Sequence, residues 1–360
     1  MSPARPSSRP RPGVRRRATG LVVAAVTAFA LAACGGATTD DEPEESESPA
    51  AEGDDSAFPV TIEHALGTTT IEAAPERVVT IGWGSQDTAL ALGTVPVGVP
   101  ADTWAGDEET GLLPWTAEAV EELGGELPTT FVDLPEVDVE AVAELQPDLI
   151  LATYSGISPE VYAQLEQLAP TIAYPEQPWL VSWQDQTIIN GTALGQAEEA
   201  ERLVADMEEL LARTGSENPS LAGRTFAFVY TDADGTLSAY VEGDPRVDLL
   251  TGLGMELAPG VAGLEAPEGT FFVDLGTESM DLLDDADVLI TWFNDEEEQA
   301  TVEALGTFAA IPAVQRGSYL PLLDRQLSMA MSTTTALSLP WGLETFVPQL
   351  VEAADKVGTA

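Results

Sequence analysis

Aromatic residues cluster where the predicted strands of this 360-residue chain end, which is where open α/β sheets bind ligands. The segments concerned contain Trp83, Trp104, Tyr154, Trp179, Trp183, Tyr230, Trp292 and Phe293, and the arginines best placed by sequence are Arg246 and Arg325. Aromatic faces pack against a bulky, partly apolar ligand, and guanidinium groups donate hydrogen bonds to its oxygen atoms. We therefore expect these residues to line a binding site.

Each of these candidates also has a structural interpretation. A single aromatic side chain is about as often part of a core or a hinge as part of a site. Arg246 could pair with the neighbouring Asp244 or Asp248 instead of a ligand.

Strands and helices alternate between residues 58 and 180, which predicts an N-terminal α/β lobe with a parallel sheet. Its strands are "RVVTI", "VPVGV", "DLILAT" and "TIAY", and glycine-bearing loops after the first three carry Trp83, Trp104 and Tyr154. The run "DLILAT" is continuously apolar, as in strands that are covered on both faces. Residues 221–338, with "RTFAFVYT", "ADVLITWF" and "GSYLPL", predict a C-terminal α/β lobe.

A long amphipathic run from Gln184 to Arg213 lies between the two lobes. It predicts a connecting helix over 181–214, about 40 Å long if it is continuous at about 1.5 Å per residue, although Gly191 and Gly195 could interrupt it. A second amphipathic segment predicts a terminal helix over 339–357. The fold class is therefore α/β, with two Rossmann-like lobes joined by a long helical spine.

Residues 1–33 have the pattern of an export signal, in which six arginines precede the apolar run "GLVVAAVTAFALAA". That run is shorter than the roughly 20 residues that span a bilayer. Cys34, the only cysteine, ends the sequence "LAAC", which resembles a bacterial lipobox; an ordinary cleavage site is the alternative. Residues 34–57 are acidic and lack apolar periodicity, so we expect a lipidated cysteine followed by a disordered tether. Export could use the Sec or the twin-arginine route.

The chain is strongly acidic. Six of its 14 basic residues lie in the predicted signal, so the remainder carries 61 acidic residues against eight basic ones, a formal charge of −53. Nucleic acids and anionic lipid surfaces bind through clustered lysine and arginine, which this chain lacks. We therefore exclude both classes of partner, and we expect a highly anionic ligand to be disfavoured.

Few residues are available for metal binding or catalysis. A zinc or manganese site usually needs a cluster of histidines and carboxylates, and His64 is the only histidine of the chain. No G-x-S-x-G motif occurs, and a catalytic triad would have to recruit His64. A carboxylate pair of the glycoside hydrolase type is left open because the chain has so many acidic residues, but no spacing identifies a particular pair. The segment "DADG" at 232–235 lacks the rest of a calcium loop and is better interpreted as a turn between two strands.

The order of several motifs resembles the class III substrate-binding proteins of ABC importers, which deliver ferric siderophores, cobalamin and haem. The motifs are "PERVVTIGWGSQDTALALGTVPVGV", "DVEAVAELQPDLILATYSG", the run after "PWLVSW", and "ESMDLLDDADVLI", and they cover most of the chain from Pro75 to Val357. Among members of the family, the chain is most similar to lipid-anchored ferric-siderophore receptors of Gram-positive bacteria.

This resemblance implies a monomeric, non-enzymatic receptor on the extracellular face of the cell membrane, with no cofactor beyond the ferric iron of its siderophore. It would deliver a siderophore, of hydroxamate type because basic residues are scarce, to an ABC permease and its ATPase. The resemblance also implies that a glutamate of each lobe docks onto the permease, and these fall on Glu140 and Glu278. Cobalamin or haem, with Tyr154 or Tyr230 as an iron ligand, is the alternative cargo, and a lipid-anchored surface enzyme is the alternative class of protein.

Overall fold

The computed structural model describes residues 57–231, 235–267 and 270–358, and it does not describe the side chains of Thr277 and Glu278. The predicted signal, Cys34 and nearly all of the tether lie outside these ranges. Among the described residues, no helix is both long enough and apolar enough to cross a membrane.

The N-terminal lobe contains seven strands and four helices among the described residues. The strands are β1 (Val60–His64), β2 (Gly67–Ile71), β3 (Val78–Thr80), β4 (Gly98–Pro100), β5 (Thr129–Phe131), β6 (Leu149–Leu151) and β7 (Thr171–Ile172). The helices are α1 (Ser85–Ala91), α2 (Pro114–Glu122), α3 (Val139–Glu144) and α4 (Pro159–Leu165). Two of these helices begin at side-chain caps, since Asp138 accepts a hydrogen bond from Ala141 N and Ser158 accepts one from Val161 N.

Five of these strands form a parallel sheet in the order β5-β4-β3-β6-β7. The chain runs outward from β3 through β4 to β5, returns to β6 on the other side of β3, and continues to β7. The strand order therefore reverses between β3 and β6, which places a topological switch point beyond their carboxyl ends. The remaining two strands, β1 and β2, form an antiparallel hairpin that sequence analysis did not predict.

The predicted connecting helix over 181–214 is two helices rather than one. Helix α5 (Trp183–Ala193) and helix α6 (Ala197–Glu217) are separated by a turn at Gly195, whose φ is +74°, and the two helices pack against each other. Gly191, the other suspected interruption, lies inside α5, where a Cβ would overlap that of Ala200 in α6. The apolar pattern continues across the turn because both helices bury one face, so periodicity alone could not reveal the break.

The C-terminal lobe contains six strands among the described residues. They are β8 (Thr225–Thr231), β9 (Leu237–Tyr240), β10 (Glu256–Leu257), β11 (Phe272–Leu275), β12 (Val288–Trp292) and β13 (Tyr319–Leu322). The helices are α7 (Pro245–Gly252), α8 (Glu296–Glu303), α9 (Gly306–Ala309), α10 (Pro312–Arg316), α11 (Arg325–Thr333) and α12 (Ser338–Ala354), with a 3₁₀ helix at Thr277–Leu283. The segment "DADG" joins the antiparallel strands β8 and β9, but residues 232–234 lie outside the described ranges.

These strands form one mixed sheet in the order β11-β9-β8-β12-β13, with β10 pairing the beginning of β8. Strands β8, β12 and β13 are parallel, whereas β9 and β11 add an antiparallel edge. Strands β10 and β11, like β5 of the N-terminal sheet, were not predicted from the sequence, and β9 was expected only as the strand after the turn at "DADG".

The two lobes share a buried interior. Trp115 from α2 and Trp183 from α5 belong to the same apolar core as Leu339 and Phe346 of α12. Beside this core, the carboxylate of Asp87 is 1% exposed and joins three segments of the chain. It accepts hydrogen bonds from Trp115 Nε1 at 2.7 Å, Thr116 Oγ1 at 2.9 Å and Thr335 Oγ1 at 2.7 Å. Burial raises the pKa of Asp87 to about 6, although the three hydrogen bonds act in the opposite direction.

Candidate ligand-binding cleft

Two loops meet at the switch point between β3 and β6. Trp83, in the loop after β3, donates its backbone N–H to the carbonyl oxygen of Tyr154, in the loop after β6, at 3.0 Å. Gly82 makes this approach possible, since its φ is +78° and a Cβ there would overlap the Tyr154 carbonyl. Gly82 N also donates to Asp133 Oδ2 at 2.9 Å, which fixes the loop from its other side.

Three aromatic residues of the N-terminal lobe form one wall at this point. The ring of Trp83 lies 5.7 Å from that of Tyr154 and 4.9 Å from that of Trp179. Trp179 has a positive φ of +58° and packs so closely over Gly156 that a Cβ there would overlap its indole nitrogen. Tyr154 is 1% exposed, so its hydroxyl is shielded from solvent. Burial raises the pKa of that hydroxyl, with the charge of Asp244 adding to the effect.

The C-terminal lobe places a second aromatic group against this wall. Phe271, just before β11, lies 6.5 Å from Trp83 and stacks on Tyr240 at 6.1 Å. The guanidinium carbon of Arg246 lies 4.0 Å from the centre of the Tyr240 ring and 5.4 Å from that of Phe271. These are cation–π distances, so the arginine and the two rings form one unit.

Arg246 is 5% exposed and forms an ion pair with Asp244, its Nη1 lying 2.6 Å from Asp244 Oδ2. Its Nε donates to Ser332 Oγ at 3.2 Å. Burial alone would lower the pKa of Arg246, but the Asp244 carboxylate raises it, so the guanidinium stays charged. The pairing with Asp244 that the sequence left open is therefore present, and it holds the arginine at the edge of the cleft.

A further contact between the lobes lies beside the first. Trp104, in the loop after β4, donates from Nε1 to Asn294 Oδ1 at 2.8 Å and lies 5.2 Å from Trp292. Trp292 stacks on Tyr230 at 4.2 Å and donates from Nε1 to the Tyr240 hydroxyl at 3.0 Å. The two aromatic groups are therefore continuous through the C-terminal lobe.

Arg325 lies at the exposed edge of this second group. Its Nε and Nη2 donate to the carbonyl oxygen of Asn294 at 3.0 and 2.8 Å. Its guanidinium carbon is 5.9 Å from the Trp104 ring. The side chain is exposed, and none of these contacts is an ion pair with a carboxylate. Its guanidinium can therefore donate hydrogen bonds to a ligand at the rim of the cleft.

Two predicted ligand residues lie elsewhere. Trp183 is 2% exposed in the shared apolar core, and Phe293 is fully buried in a second core behind the C-terminal sheet. Successive residues of a strand point to opposite faces, so Trp292 reaches the cleft and Phe293 does not. The structure therefore corrects the expectation that both residues line the site.

The two predicted docking glutamates lie in different kinds of helix. Glu140 lies exposed in the first turn of α3. Glu278 lies in the 3₁₀ helix Thr277–Leu283 rather than in an α-helix, and its side chain is outside the described part of the structure.

A small cavity opens beside the aromatic walls, with a volume of about 150 Å³. Its lining includes Trp83, Trp104, Gln86, Asp102, Thr116, Asp133, Met329 and Thr333. Six residues at the cleft and its cavity were not predicted from the sequence to belong to the site: Gln86, Asp102, Asp133, Phe271, Tyr240 and Asn294. Asn294 follows directly after β12 and could have been found by the same strand-end rule as Trp292, whereas Phe271 precedes its strand and carries no such signal.

The described residues contain no group of three histidine, cysteine, aspartate or glutamate side chains that could hold a metal ion. The donors at the cleft are instead indole, phenol and guanidinium groups on apolar walls. This arrangement is suited to surrounding a preformed organic ligand with oxygen acceptors.

Known proteins with similar sequences and structures support this interpretation. Among curated proteins, the chain is 31% identical over 150 residues to the "Probable siderophore-binding lipoprotein YfiY" of Bacillus subtilis, covering 41% of this chain and 42% of that protein. It is 24% identical over 246 residues to the Fe(3+) dicitrate-binding periplasmic protein FecB of Escherichia coli, covering 67% and 74%. The chain thus matches less than half the length of the first of these relatives.

Solved structures extend the similarity over most of the chain. PiaA of Streptococcus pneumoniae in complex with ferrichrome has 32% identity and a TM-score of 0.77, covering 82% of this chain and 99% of that one. A periplasmic solute binding protein from Mycobacterium smegmatis has 30% identity and a TM-score of 0.69 over the same shares. These matches confirm the expected α/β fold of class III binding proteins.

The family model described as periplasmic binding protein matches residues 78–318, which include the N-terminal parallel sheet, the C-terminal sheet apart from β13, and both aromatic groups. The resemblance stated from the sequence motifs is therefore confirmed, and the chain belongs to the periplasmic binding protein family.

Proposed function

We propose that this protein is an extracellular receptor that captures a ferric siderophore of hydroxamate type between its lobes and delivers it to an ABC importer permease. The observation that carries the proposal is the meeting of aromatic walls from both lobes at the switch point, around the buried Arg246. The relatives named for binding siderophores, ferric dicitrate and ferrichrome support a ferric chelate as the ligand, and ferrichrome is of the hydroxamate type.

The charges at the cleft favour a hydroxamate complex over a triply anionic catecholate. Arg246 is already neutralised by Asp244, and Asp102 and Asp133 line the adjoining cavity. Arg325 supplies one exposed cation at the rim. A trianionic ligand would need more uncompensated positive charge than these side chains provide, whereas a neutral or cationic ferric hydroxamate would not.

Binding requires the aromatic contacts between the lobes to separate. Trp83 meets Phe271, and Trp104 is hydrogen-bonded to Asn294, so the chelate must insert between them. The shared core around Trp115 and Trp183 limits how far the lobes can move, and we expect a small opening. The receptor holds its cargo by contact alone and performs no chemistry on it.

Delivery would depend on a membrane anchor and on docking. A lipid on Cys34 would hold the protein at the outer face of the membrane. Glu140 and Glu278 would orient each lobe on the permease, whose ATPase drives import, because exposed charges set encounter rate and orientation at an interface. The exposed position of Glu140 supports this role.

Tryptophan fluorescence of the full chain tests the proposal, because Trp83, Trp104, Trp179 and Trp292 all lie at the cleft. The chain is titrated with ferrioxamine B, a ferric catecholate, haem and cobalamin, with correction for absorbance by each ligand. We expect saturable quenching by the ferric hydroxamate at low concentration. A response to haem or cobalamin alone would change the cargo, and no response to any of the four would overturn the proposal.

A further inference from the structure

The cavity beside the cleft is too small for a whole siderophore. Its volume is about 150 Å³. Pockets that enclose a complete ligand usually measure about 300–1,000 Å³. Since Trp83 and Trp104 line both this cavity and the aromatic walls, the cavity is placed to receive one arm of a ligand whose body lies between the lobes.

The cavity is lined by hydrogen-bond acceptors. Gln86 is 8% exposed, and its Oε1 is buried without a hydrogen-bond partner among the described residues. A buried amide oxygen left in this state costs free energy that a donor from a ligand would recover. A ligand that donates a hydrogen bond to Gln86 would therefore be favoured in this cavity.

Two carboxylates reinforce this preference. Asp133 is 9% exposed and uses Oδ2 to accept from Gly82 N, and Asp102 uses Oδ1 to accept from the backbone N–H groups of Trp104 and Ala105. Burial, with the charge of Asp102 adding to it, raises the pKa of Asp133. Among the described residues, no lysine or arginine lines the cavity, and Arg325 lies over Trp104 outside its lining.

The remaining lining fits a compact cation on an alkyl chain. The indole groups of Trp83 and Trp104 line the cavity, and aromatic rings attract cations, while Leu112 and Met329 supply apolar contact for methylene groups. A divalent metal ion is a poorer match, because Asp102 and Asp133 are two carboxylates and no third metal-binding side chain joins them among the described residues.

We propose that this cavity binds a protonated primary amine on an arm of the ferric siderophore, with Gln86, Asp102 and Asp133 as its acceptors. The inference rests on the proposed function and narrows it: the preferred cargo is a ferric hydroxamate that carries an ammonium group. The arm enters past Trp83 and Trp104 while the iron centre stays between the lobes.

A matched pair of ligands tests the inference. Ferrioxamine B ends in a primary amine that is protonated at neutral pH, and its N-acetyl derivative has the same iron centre without the charge. We expect the full chain to bind ferrioxamine B about tenfold more tightly than the N-acetyl derivative, because only the ammonium group can donate charge-assisted hydrogen bonds to the carboxylates of the cavity.

Two variants locate the preference in the cavity. In Asp102→Asn/Asp133→Asn the amide oxygens can still accept the backbone hydrogen bonds, but both charges are removed; Gln86→Met removes the unpartnered acceptor at similar volume. We expect the affinity ratio between the two ligands to fall to about threefold or less in the double variant and to an intermediate value in Gln86→Met. Because the measurement is a ratio, a general loss of affinity cancels.

The double variant Glu121→Gln/Glu126→Gln is the matched control, since it removes two exposed charges from the same lobe away from the cavity. It should keep the ratio of the wild-type chain. Equal binding of both ligands by the wild-type chain, or a ratio unchanged in Asp102→Asn/Asp133→Asn, would overturn the inference and leave the proposed function intact. Failure of every ferric chelate to bind would overturn both.

Discussion

Trp104 Nε1 donates a 2.8 Å hydrogen bond to Asn294 Oδ1, so a loop of the N-terminal lobe is tied to a loop of the C-terminal lobe across the mouth of the cleft. The tie lies beside the contact between Trp83 and Phe271. In the proposed function, a ligand that enters between the lobes breaks both contacts, so we expect their strength to control how readily the cleft opens.

The variant Asn294→Ala should open the cleft more easily. It removes the acceptor for Trp104 and leaves the backbone carbonyl that Arg325 binds. A hydrogen bond of this kind contributes about 0.5–1.5 kcal/mol, so we expect the association rate of a ferric hydroxamate to rise by about two- to tenfold. Stopped-flow tryptophan quenching measures that rate.

Gln299→Ala is the control for this prediction, because it removes a 2.7 Å side-chain hydrogen bond to Glu303 within α8. Its association rate should match that of the wild-type chain. An unchanged rate in Asn294→Ala would show that the hydrogen bond does not limit access to the cleft.

Gly156→Ala should damage the aromatic wall. The added Cβ would overlap the indole nitrogen of Trp179, whose backbone is already held at a positive φ, so the ring must move away from Trp83 and Tyr154. We expect the affinity for the siderophore to fall by about tenfold or more while the circular dichroism spectrum is retained. Gly306→Ala places the same methyl group where nothing lies within 4 Å, and it should bind normally.

Arg246 can be tested for its structural role apart from its ligand role. Arg246→Met leaves the buried Asp244 without its cation, and breaking such a pair costs about 3–5 kcal/mol in the free energy of unfolding. Asp244→Asn added to it should recover most of that loss, since the amide is neutral and its oxygen can still accept from the backbone N–H of position 246 at the start of α7.

Urea unfolding measures both variants, and siderophore titration of the stabilised double variant then reports the ligand role alone. Arg325→Met, which alters an exposed cation, should change stability by no more than about 0.5 kcal/mol. If Arg246→Met/Asp244→Asn is no more stable than Arg246→Met, the loss in the free energy of unfolding does not come from an unpaired Asp244.

Asp87 should make stability depend on pH. Its pKa is raised from 3.8 to about 6, so the folded chain binds this proton more tightly than the unfolded chain. The free energy of unfolding therefore falls as the pH rises from about 4 to about 6, by up to about 3 kcal/mol at 1.36 kcal/mol per pKa unit. In Asp87→Asn this contribution is absent.

Urea unfolding at pH 4 and pH 7.5 compares the two chains. At each pH, the free energy of unfolding of the wild-type chain is subtracted from that of Asp87→Asn. This difference should be about 1–3 kcal/mol larger at pH 7.5 than at pH 4. Other carboxylates, such as Asp248 with a pKa of about 6, titrate in both chains and cancel in this difference. The same difference at both pH values would show that the proton on Asp87 does not contribute.

Charge reversal at the two proposed docking positions should separate capture from delivery. Glu140→Lys and Glu278→Lys are expected to reduce uptake of radioactive ferric siderophore by at least about tenfold, because each places a lysine against the expected arginines of the permease. Fluorescence titration should show no change in siderophore affinity. Glu121→Lys, an exposed reversal on α2, should transport normally, and weakened binding in the docking variants would mean that the glutamates have another role.

The sequence predicted the site best where a residue follows a strand in a parallel sheet. Trp83 and Tyr154 lie together because β3 and β6 are neighbours and their carboxyl ends share one edge. The same rule could not separate Trp292 from Phe293, since strand periodicity decides which of two successive aromatic residues faces the cleft. Asp133 also obeys this rule, since it follows β5 of the parallel sheet, but β5 was not predicted from the sequence. Phe271 precedes its strand and comes to the site through the packing of the two lobes, which local sequence does not encode.

The carboxylate of Asp87 also has a consequence for the order in which the chain can fold. It belongs to the first lobe, yet one of its three donors is Thr335, and the core beside it is completed by Leu339 and Phe346 of the last helix. Contacts separated by about 250 residues form late, because the ends of a long loop must first be brought together. The first lobe therefore completes its interior only after the carboxyl-terminal segment has been synthesised, and a chain truncated before α12 should fail to mature.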